Sequence, residues 1–171
     1  DRFRRGEDGG LLLRSLTSTS YGRLYDADVM AAVARIAERA GLSAPPIWEG
    51  GTGGAYRGEE DAFILLTSGG SIVDDPSARN GNGAMYRGLI IRNSEVGASA
   101  FWVITFLYRA CCGNHQLMGA VLDALQSRRH VGHHVASDAD TMLREACRFL
   151  DRPESADREL ILDLIGRSLG P

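Results

Sequence analysis

Three polar residues in a row, Asn93, Ser94 and Glu95, stand between two apolar stretches of the sequence. An amide, a hydroxyl and a carboxylate at a strand junction can orient a substrate, bind a divalent ion or act as an acid–base pair. Asn114 and His115, which follow the second apolar stretch, belong to the same candidate site. This interpretation predicts a pocket at the junction and loss of activity in Glu95→Gln. The structural alternative is that the first two residues bond turn backbone while Glu95 forms a salt bridge or caps a helix.

A second set of residues has the chemistry of a nucleic-acid surface, because arginine binds phosphate and stacks, like aromatic rings, on unpaired bases. Arg87 and Arg92 flank one apolar stretch and Arg109 ends the next, so they could line an edge that receives a phosphate backbone. Trp102 and Phe106, which lie between them, are better explained as core. The hypothesis covers Arg87, Arg92, Tyr108, Arg109, Arg128, Arg129 and His130.

Residues that could ligate zinc occur in two clusters, Cys111, Cys112 and His115 in one and the histidines of residues 130–134 in the other. Adjacent cysteines do not form the spaced pair of a zinc knuckle, and Cys112 in an apolar run is explained as a small buried hydrophobe. The sequence also contains no nucleophile elbow. We therefore predict no metal and no other cofactor, and no motif identifies an enzyme.

Composition limits the partners and the compartment. The 171 residues carry a net charge of −3, so no basic field extends over the whole protein. All 19 basic residues are arginine, which suits a nucleic-acid partner but is also explained by GC-rich codons. The longest apolar run, 98–112, is interrupted by polar residues, and no signal peptide opens the chain. We therefore predict a cytoplasmic protein without a membrane partner.

Hydrophobic periodicity predicts the elements that position these residues. A helix is predicted from a cap at Asp26 or Asp28 to a stop at Gly41. Beyond Gly119 the chain turns helical, with one helix capped by Asp138 and a further helix after Pro153. The predicted strands are an edge strand at 11–13, a buried strand at 62–67, short strands at 72–73 and 115–118, a strand at 86–92 and a central strand at 100–107 that is covered on both faces.

These elements predict one α+β domain over residues 1–171. Its small, mainly antiparallel sheet is packed by an N-terminal helix and two C-terminal helices. The core is expected at about 16–132 and the C-terminal helical part at about 138–169.

Six segments occur in a fixed order along the core. They are Leu16–Arg23, Tyr56–Asp61, Asn93–Gly97, Phe106–Arg109, Cys112–His115 and Arg128–Gly132. This series resembles the phage/plasmid-like protein family, domain of unknown function 932. The resemblance covers roughly 16–132 and implies a context of bacteriophages, plasmids and other mobile elements. It implies no established activity and no proven catalytic residue.

The first functional hypothesis is a phage/plasmid-type protein that assists DNA replication or recombination by binding single-stranded nucleic acid in a bacterial or phage-infected cell. It predicts binding that salt weakens and that falls when Arg128 and Arg129 are both changed to alanine. An alternative is a small-molecule-binding or enzymatic domain with its site at the Asn93–Glu95 junction. A second alternative is a structural protein that assembles into homo-oligomers.

Overall fold

The computed structural model confirms the predicted fold class. An antiparallel sheet is packed by one N-terminal and two C-terminal helices, so the fold is α+β. The strand predicted at 115–118 lies outside the described residues. The structure describes residues 3–13, 15–44, 54–70, 73–74, 84–109 and 121–168.

All nine strands of the described residues precede the last two helices. The strands are β1 (Phe3–Arg5), β2 (Leu11–Leu13), β3 (Leu42–Ser43), β4 (Ala55–Arg57), β5 (Ala62–Ser68), β6 (Val73–Asp74), β7 (Ala84–Asn93), β8 (Phe101–Arg109) and β9 (Val121–Arg128). The helices are α1 (Asp26–Ala40), α2 (Val135–Asp151) and α3 (Glu154–Ser168). β1 and β2 pair with each other in a separate hairpin, outside the main sheet.

The main sheet has the order β3-β5-β7-β8-β9, with β4 beside β5 and β6 beside β7. β7 and β8 lie at its centre, and their β-branched and aromatic residues suit that position. Their antiparallel register pairs Ile90 with Ile104 and Arg92 with Trp102. The polar segment 93–97 therefore connects two central strands, as predicted.

One face of this sheet is covered by the helices, and we call the other the open face. On the covered face Ile64, Leu89 and Val103 are buried in one core with apolar residues of all three helices. The sequence predicts a β8 that is covered on both faces. Instead, Trp102 and Ile104 on the open face are only partly buried, because the helices pack against the opposite side.

Phe106 lies on the same face of β8 as Trp102 and Ile104, but it is fully buried. It lies opposite Gly88 of β7, where an added Cβ would be 2.2 Å from Cζ of the ring. The absence of a side chain at Gly88 therefore allows the Phe106 ring to approach the backbone of the neighbouring strand closely.

The strand β9 corrects the sequence-based prediction, which places helical structure after Gly119. Residues 121–128 pair antiparallel with β8 instead. The register shifts between Thr105 and Phe106, so that Asp123 is an extra residue in β9. Such a bulge breaks the two-residue alternation by which a strand is recognised in a sequence.

The helix α1 ends where the sequence predicts. Gly41 has a φ of 62°, the left-handed conformation that terminates many helices. At the other end the N-cap residue is Tyr25, which makes no side-chain capping bond. Asp26 is thus the first helical residue and not the cap, so the bond that caps this helix comes from elsewhere in the fold.

The C-terminal helices also lie where they are predicted, and Pro153 separates them. α2 begins at Val135, ahead of the predicted cap Asp138, which lies in the first turn. No helix in the described part of the chain is long and apolar enough to cross a membrane.

Candidate functional site

The polar junction, residues 93–95, is buried and bonds to the start of α1. Asn93 is 2% exposed. Its Nδ2 donates to Oδ1 of Asp26 at 2.7 Å and to the carbonyl oxygen of Leu24 at 3.0 Å. Oδ2 of Asp26 lies 3.4 Å from Nε of Arg57. The side chain of Asn93 therefore ties the end of β7 to a buried carboxylate of the helix.

Glu95 caps α1 across the fold. Its Oε1 accepts the backbone N–H of Asp26, the first residue of the helix, at 2.8 Å. A carboxylate at this position satisfies a donor that the helix leaves unpaired, and it interacts favourably with the helix dipole. The structural alternative for Glu95, helix capping, is thus the one that the structure bears out.

Ser94 closes the turn after β7. Its Oγ donates to the carbonyl oxygen of Glu60 at 2.5 Å and accepts the N–H of Ala98 at 2.9 Å. Its own carbonyl oxygen accepts the hydroxyl of Tyr21 at 2.9 Å. All three side chains of the polar junction therefore have internal hydrogen-bond partners that hold the fold.

The segment before α1 runs beside the segment after β9 at this end of the sheet. Tyr21 forms a β-bridge with Val131, and its ring stacks on that of His130 with centroids 5.4 Å apart. A Cβ at Gly22 would lie 2.3 Å from the backbone oxygen of Gly132, so the two chains approach closely only because residue 22 is glycine.

These contacts bring distant parts of the sequence together. Tyr21 contacts both the polar junction and His130, and Ser94 contacts Glu60. Four of the six segments that carry the family resemblance therefore meet at one end of the sheet: 16–23, 56–61, 93–97 and 128–132.

The imidazole of His130 is buried, with 4% of its surface exposed. Its Nδ1 lies 3.2 Å from the carbonyl oxygen of Gly22, and because a carbonyl only accepts, Nδ1 carries the proton. Burial lowers the pKa of His130, against the hydrogen bond to Gly22 and the carboxylate of Asp26, which both act to raise it. Nε2 therefore holds a lone pair, and it has no hydrogen-bond partner among the described residues.

Acid is expected to destabilise the protein through His130. The histidine pKa is 6.5 at its ordinary value and lower in the folded state, so between the two values the unfolded chain binds more protons. The contribution to stability is present above about pH 6.5 and is lost as the pH falls through the folded pKa. In His130→Asn, whose amide keeps a donor for Gly22 but does not titrate, urea denaturation should show a shallower decline in unfolding free energy below about pH 7.

The matched control is His133→Asn, because His133 is exposed. This variant keeps the buried His130 ring, so its unfolding free energy should still fall on acidification. A decline in His130→Asn as steep as in the wild type would show that His130 is not the residue responsible.

The structure separates the arginines that the sequence groups into one nucleic-acid surface. Arg87 and Arg92 are five positions apart in β7, so their side chains lie on opposite faces of the sheet. Arg87 is on the helix side, where its Nε donates to Oδ2 of Asp157 at 2.6 Å. It is therefore occupied by internal contacts, whereas Arg92 remains on the open face.

Two further members of that set lie at the end of β9, beside the first residue of β8. Arg128 pairs with Asp138 of α2 at 2.6 Å. Arg129 is exposed and makes no ion pair within the part of the chain that the structure describes. The side chains of Tyr108 and Arg109, and the whole of Asn114 and His115, lie outside the described residues.

The open face carries an aromatic row that crosses the sheet. Cross-strand register places four side chains in line: Tyr56 of β4, Phe63 of β5, Arg92 of β7 and Trp102 of β8. Nε and Nη2 of Arg92 donate to Oδ2 of Asp61 at 3.0 and 2.6 Å. A shallow groove of about 610 Å³ lies along the row, and Ile90 and Ile104 also line it.

A second concavity, the Tyr21 cleft, opens where β8 begins and β9 ends. Its volume is about 350 Å³. Its walls are Tyr21, the turn 97–100, Arg129, His130 and Val131. The polar junction contacts this cleft indirectly, because the Tyr21 hydroxyl donates to the carbonyl oxygen of Ser94. The side chains of residues 93–95 do not line the cleft.

No three histidine, cysteine, aspartate or glutamate side chains are grouped to hold a metal ion within the described residues. Cys111, Cys112 and His115 fall outside them.

Comparison with known proteins gives no match to a family model, a curated protein or a solved structure. Among the described residues, the open face and the Tyr21 cleft each combine a concavity with an arginine side chain.

Proposed function

We propose that the chain binds single-stranded nucleic acid on the open face of its sheet, as a phage/plasmid-type protein that assists DNA replication or recombination in the cytoplasm of a bacterial or phage-infected cell. The observation that carries the proposal is the aromatic row, in which Arg92 stands between Phe63 and Trp102 on neighbouring strands. Every base has a flat π face, so stacking on such side chains binds unpaired strands with little sequence preference.

The length of the aromatic row suits a few bases. Adjacent strands are about 4.8 Å apart, so four side chains on four neighbouring strands span about 15 Å. Known four-stranded sheets with aromatic side chains on one face stack about two or three bases. We expect a site of this size on β4, β5, β7 and β8.

Arg92 contributes more through its shape than through its charge. Asp61 accepts from two of its nitrogens, which fixes the plane of the guanidinium and leaves other N–H groups for a phosphate. The carboxylate also offsets the positive charge. Stacking therefore supplies most of the affinity, and salt should weaken binding less than it would at a surface with several phosphate contacts.

Fluorescence anisotropy of a labelled oligothymidylate of about 15 nucleotides tests the proposal. Trp102→Leu removes a stacking surface but keeps an apolar side chain in the sheet. Because stacking contributes about 1–3 kcal/mol per base, this change should raise Kd by about 5- to 150-fold. Tyr56→Ala should act in the same direction.

Tyr25→Ala is the matched control, because Tyr25 is 48% exposed and Tyr56 is 50% exposed. Tyr25 is the N-cap residue of α1 and does not line the groove along the aromatic row. Equal losses in the two tyrosine variants, or no anisotropy change with the wild type at low salt, would disprove binding at this face.

A partly exposed apolar face could also receive a second copy of the chain, and light scattering distinguishes this outcome. Nucleic-acid binding by the face predicts that the oligomeric state is the same in the wild type and in Trp102→Leu. A wild-type dimer that becomes monomeric in Trp102→Leu, without oligonucleotide present, would make the open face a self-association surface and would overturn the proposal.

A further inference from the structure

Two residues that line the Tyr21 cleft each have a buried polar atom without a hydrogen-bond partner among the described residues. Nδ1 of His130 is held by Gly22, so Nε2, on the other edge of the ring, is the nitrogen left for a ligand. Oγ of Ser99 is also buried without a hydrogen-bond partner among the described residues. A buried acceptor without a donor costs about 1–3 kcal/mol, and a ligand that donates a hydrogen bond would offset that cost.

Tyr21 forms the wall of the cleft but not its hydrogen-bonding group. Its hydroxyl already donates to the carbonyl oxygen of Ser94, and burial raises its pKa, so it stays protonated. The lone pair of His130 therefore requires an O–H or N–H donor from the ligand.

Arg129 gives the cleft its charge. The side chain is exposed at the cleft, and the adjacent Arg128 is the one that pairs with a carboxylate of α2. A guanidinium without an ion pair binds phosphate through paired N–H donors. The walls thus present a site for an anion next to a site for a hydrogen-bond donor.

We propose that the Tyr21 cleft binds a nucleotide, with the phosphate on Arg129 and a sugar hydroxyl donating to Nε2 of His130. A volume of about 350 Å³ is at the small end for ligand pockets and suits one nucleotide better than a strand. The nucleotide is either a free nucleoside monophosphate or the terminal nucleotide of a strand, since both present a phosphate and a hydroxyl. The inference goes beyond the proposed function, because the cleft and the aromatic row share no residue.

Isothermal titration with 2′-deoxyadenosine 5′-monophosphate tests binding by the full chain. Arg129→Ala should weaken it about 10- to 150-fold, the equivalent of a lost hydrogen bond to a charged group. Arg128→Ala is the matched control and should leave the affinity unchanged. No binding heat with the nucleotide and no strand-end effect, or equal losses in the two arginine variants, would overturn the proposal.

The contact with His130 is tested by removing its partner from the ligand. The 2′,3′-dideoxy nucleotide lacks the hydroxyl, so the wild type should bind it about 2- to 12-fold more weakly, whereas His130→Asn should bind both nucleotides alike. If His130→Asn does not fold, the comparison of the two nucleotides on the wild type still decides the point. Equal wild-type affinities for them would exclude the hydroxyl contact.

Oligonucleotides that end in a 3′-hydroxyl or a 3′-dideoxy sugar distinguish the two sources. If the wild type binds the dideoxy strand more weakly and Arg129→Ala abolishes this difference, the ligand of the cleft is the end of a strand. If both strands bind with the same affinity, the ligand is the free nucleotide. Trp102→Leu should affect only the strands. These measurements therefore distinguish a failure of nucleic-acid binding at the open face from a failure of nucleotide binding in the Tyr21 cleft.

Discussion

Arg87→Met is expected to lower the free energy of unfolding by about 3 kcal/mol, the lower end of the range for a broken buried ion pair. The side chain of Arg87 is 11% exposed and that of its partner Asp157 is fully buried. Nη1 and Nη2 donate to the carbonyl oxygens of Leu150 and Arg152 at 2.9 and 2.7 Å. One guanidinium therefore fastens β7 to the end of α2 and to the first turn of α3.

Two features of this contact set the size of the effect. The last carbonyl groups of a helix have no partner within it, so Leu150 and Arg152 lose the donors that Arg87 supplies. Asp157, by contrast, keeps a bond to Nε of Arg152, and the buried carboxylate is not left wholly unpaired. The cost should consequently exceed that of a surface pair without reaching the upper end of the range for a buried one.

Urea denaturation measures the difference, with Arg39→Met as the matched control. Arg39 and Asp151 form a 2.7 Å pair whose side chains are 57% and 59% exposed, and such a surface pair contributes about 0–1 kcal/mol. Similar losses in the two variants would show that Arg87 does not clamp the helices. Oligonucleotide affinity should be unchanged in Arg87→Met, since this arginine lies on the side of the sheet opposite the aromatic row.

The helices and strands were predictable from the sequence wherever a regular hydrophobic pattern ends at a residue that terminates the element. The helix ending at Gly41, the strand 62–67 and the break at Pro153 each combine a regular apolar pattern with a residue that stops it. β9 was not predictable in this way, because the extra residue at Asp123 disturbs the alternation. A bulge is decided by pairing with β8, and that information is not local.

The candidate site was predictable only in part, for the same reason. The alternation of β7 could have separated Arg87 from Arg92, because an odd spacing places them on opposite faces. The exposure of Trp102 could not be predicted, because β8 carries apolar residues on both of its faces, which is the pattern of a strand that is covered on both sides. The chemistry of residues 93–95 was visible as turn chemistry, but Asn93 meets a carboxylate 67 residues earlier in the chain.

Asn93→Ala is expected to destabilise the protein by about 2–4 kcal/mol, because it removes one amide that serves two buried acceptors. The carbonyl oxygen of Leu24 and Oδ1 of Asp26 both lose their donor. Asp26 is 5% exposed, so water cannot readily replace the amide. The remaining contact of its carboxylate, Oδ2 to Nε of Arg57, is long at 3.4 Å.

A double-mutant cycle with Asp26→Ala isolates this contact. Residues that share a hydrogen bond couple by about 0.5–3 kcal/mol, and we expect Asn93 and Asp26 near the upper end, since one partner is a buried carboxylate. A coupling below about 0.5 kcal/mol would indicate that Asn93 stabilises the fold through Leu24 alone.

Glu95→Gln tests whether Glu95 only caps α1 or also takes part directly in ligand binding. Glutamine keeps an oxygen that can accept the N–H of Asp26, so a helix cap should lose less than about 1 kcal/mol. Nucleotide binding in the Tyr21 cleft should also persist, because Glu95 does not line it. A Glu95→Gln chain that retains its stability but loses nucleotide binding would instead give this carboxylate the direct role at the site that the sequence first suggested.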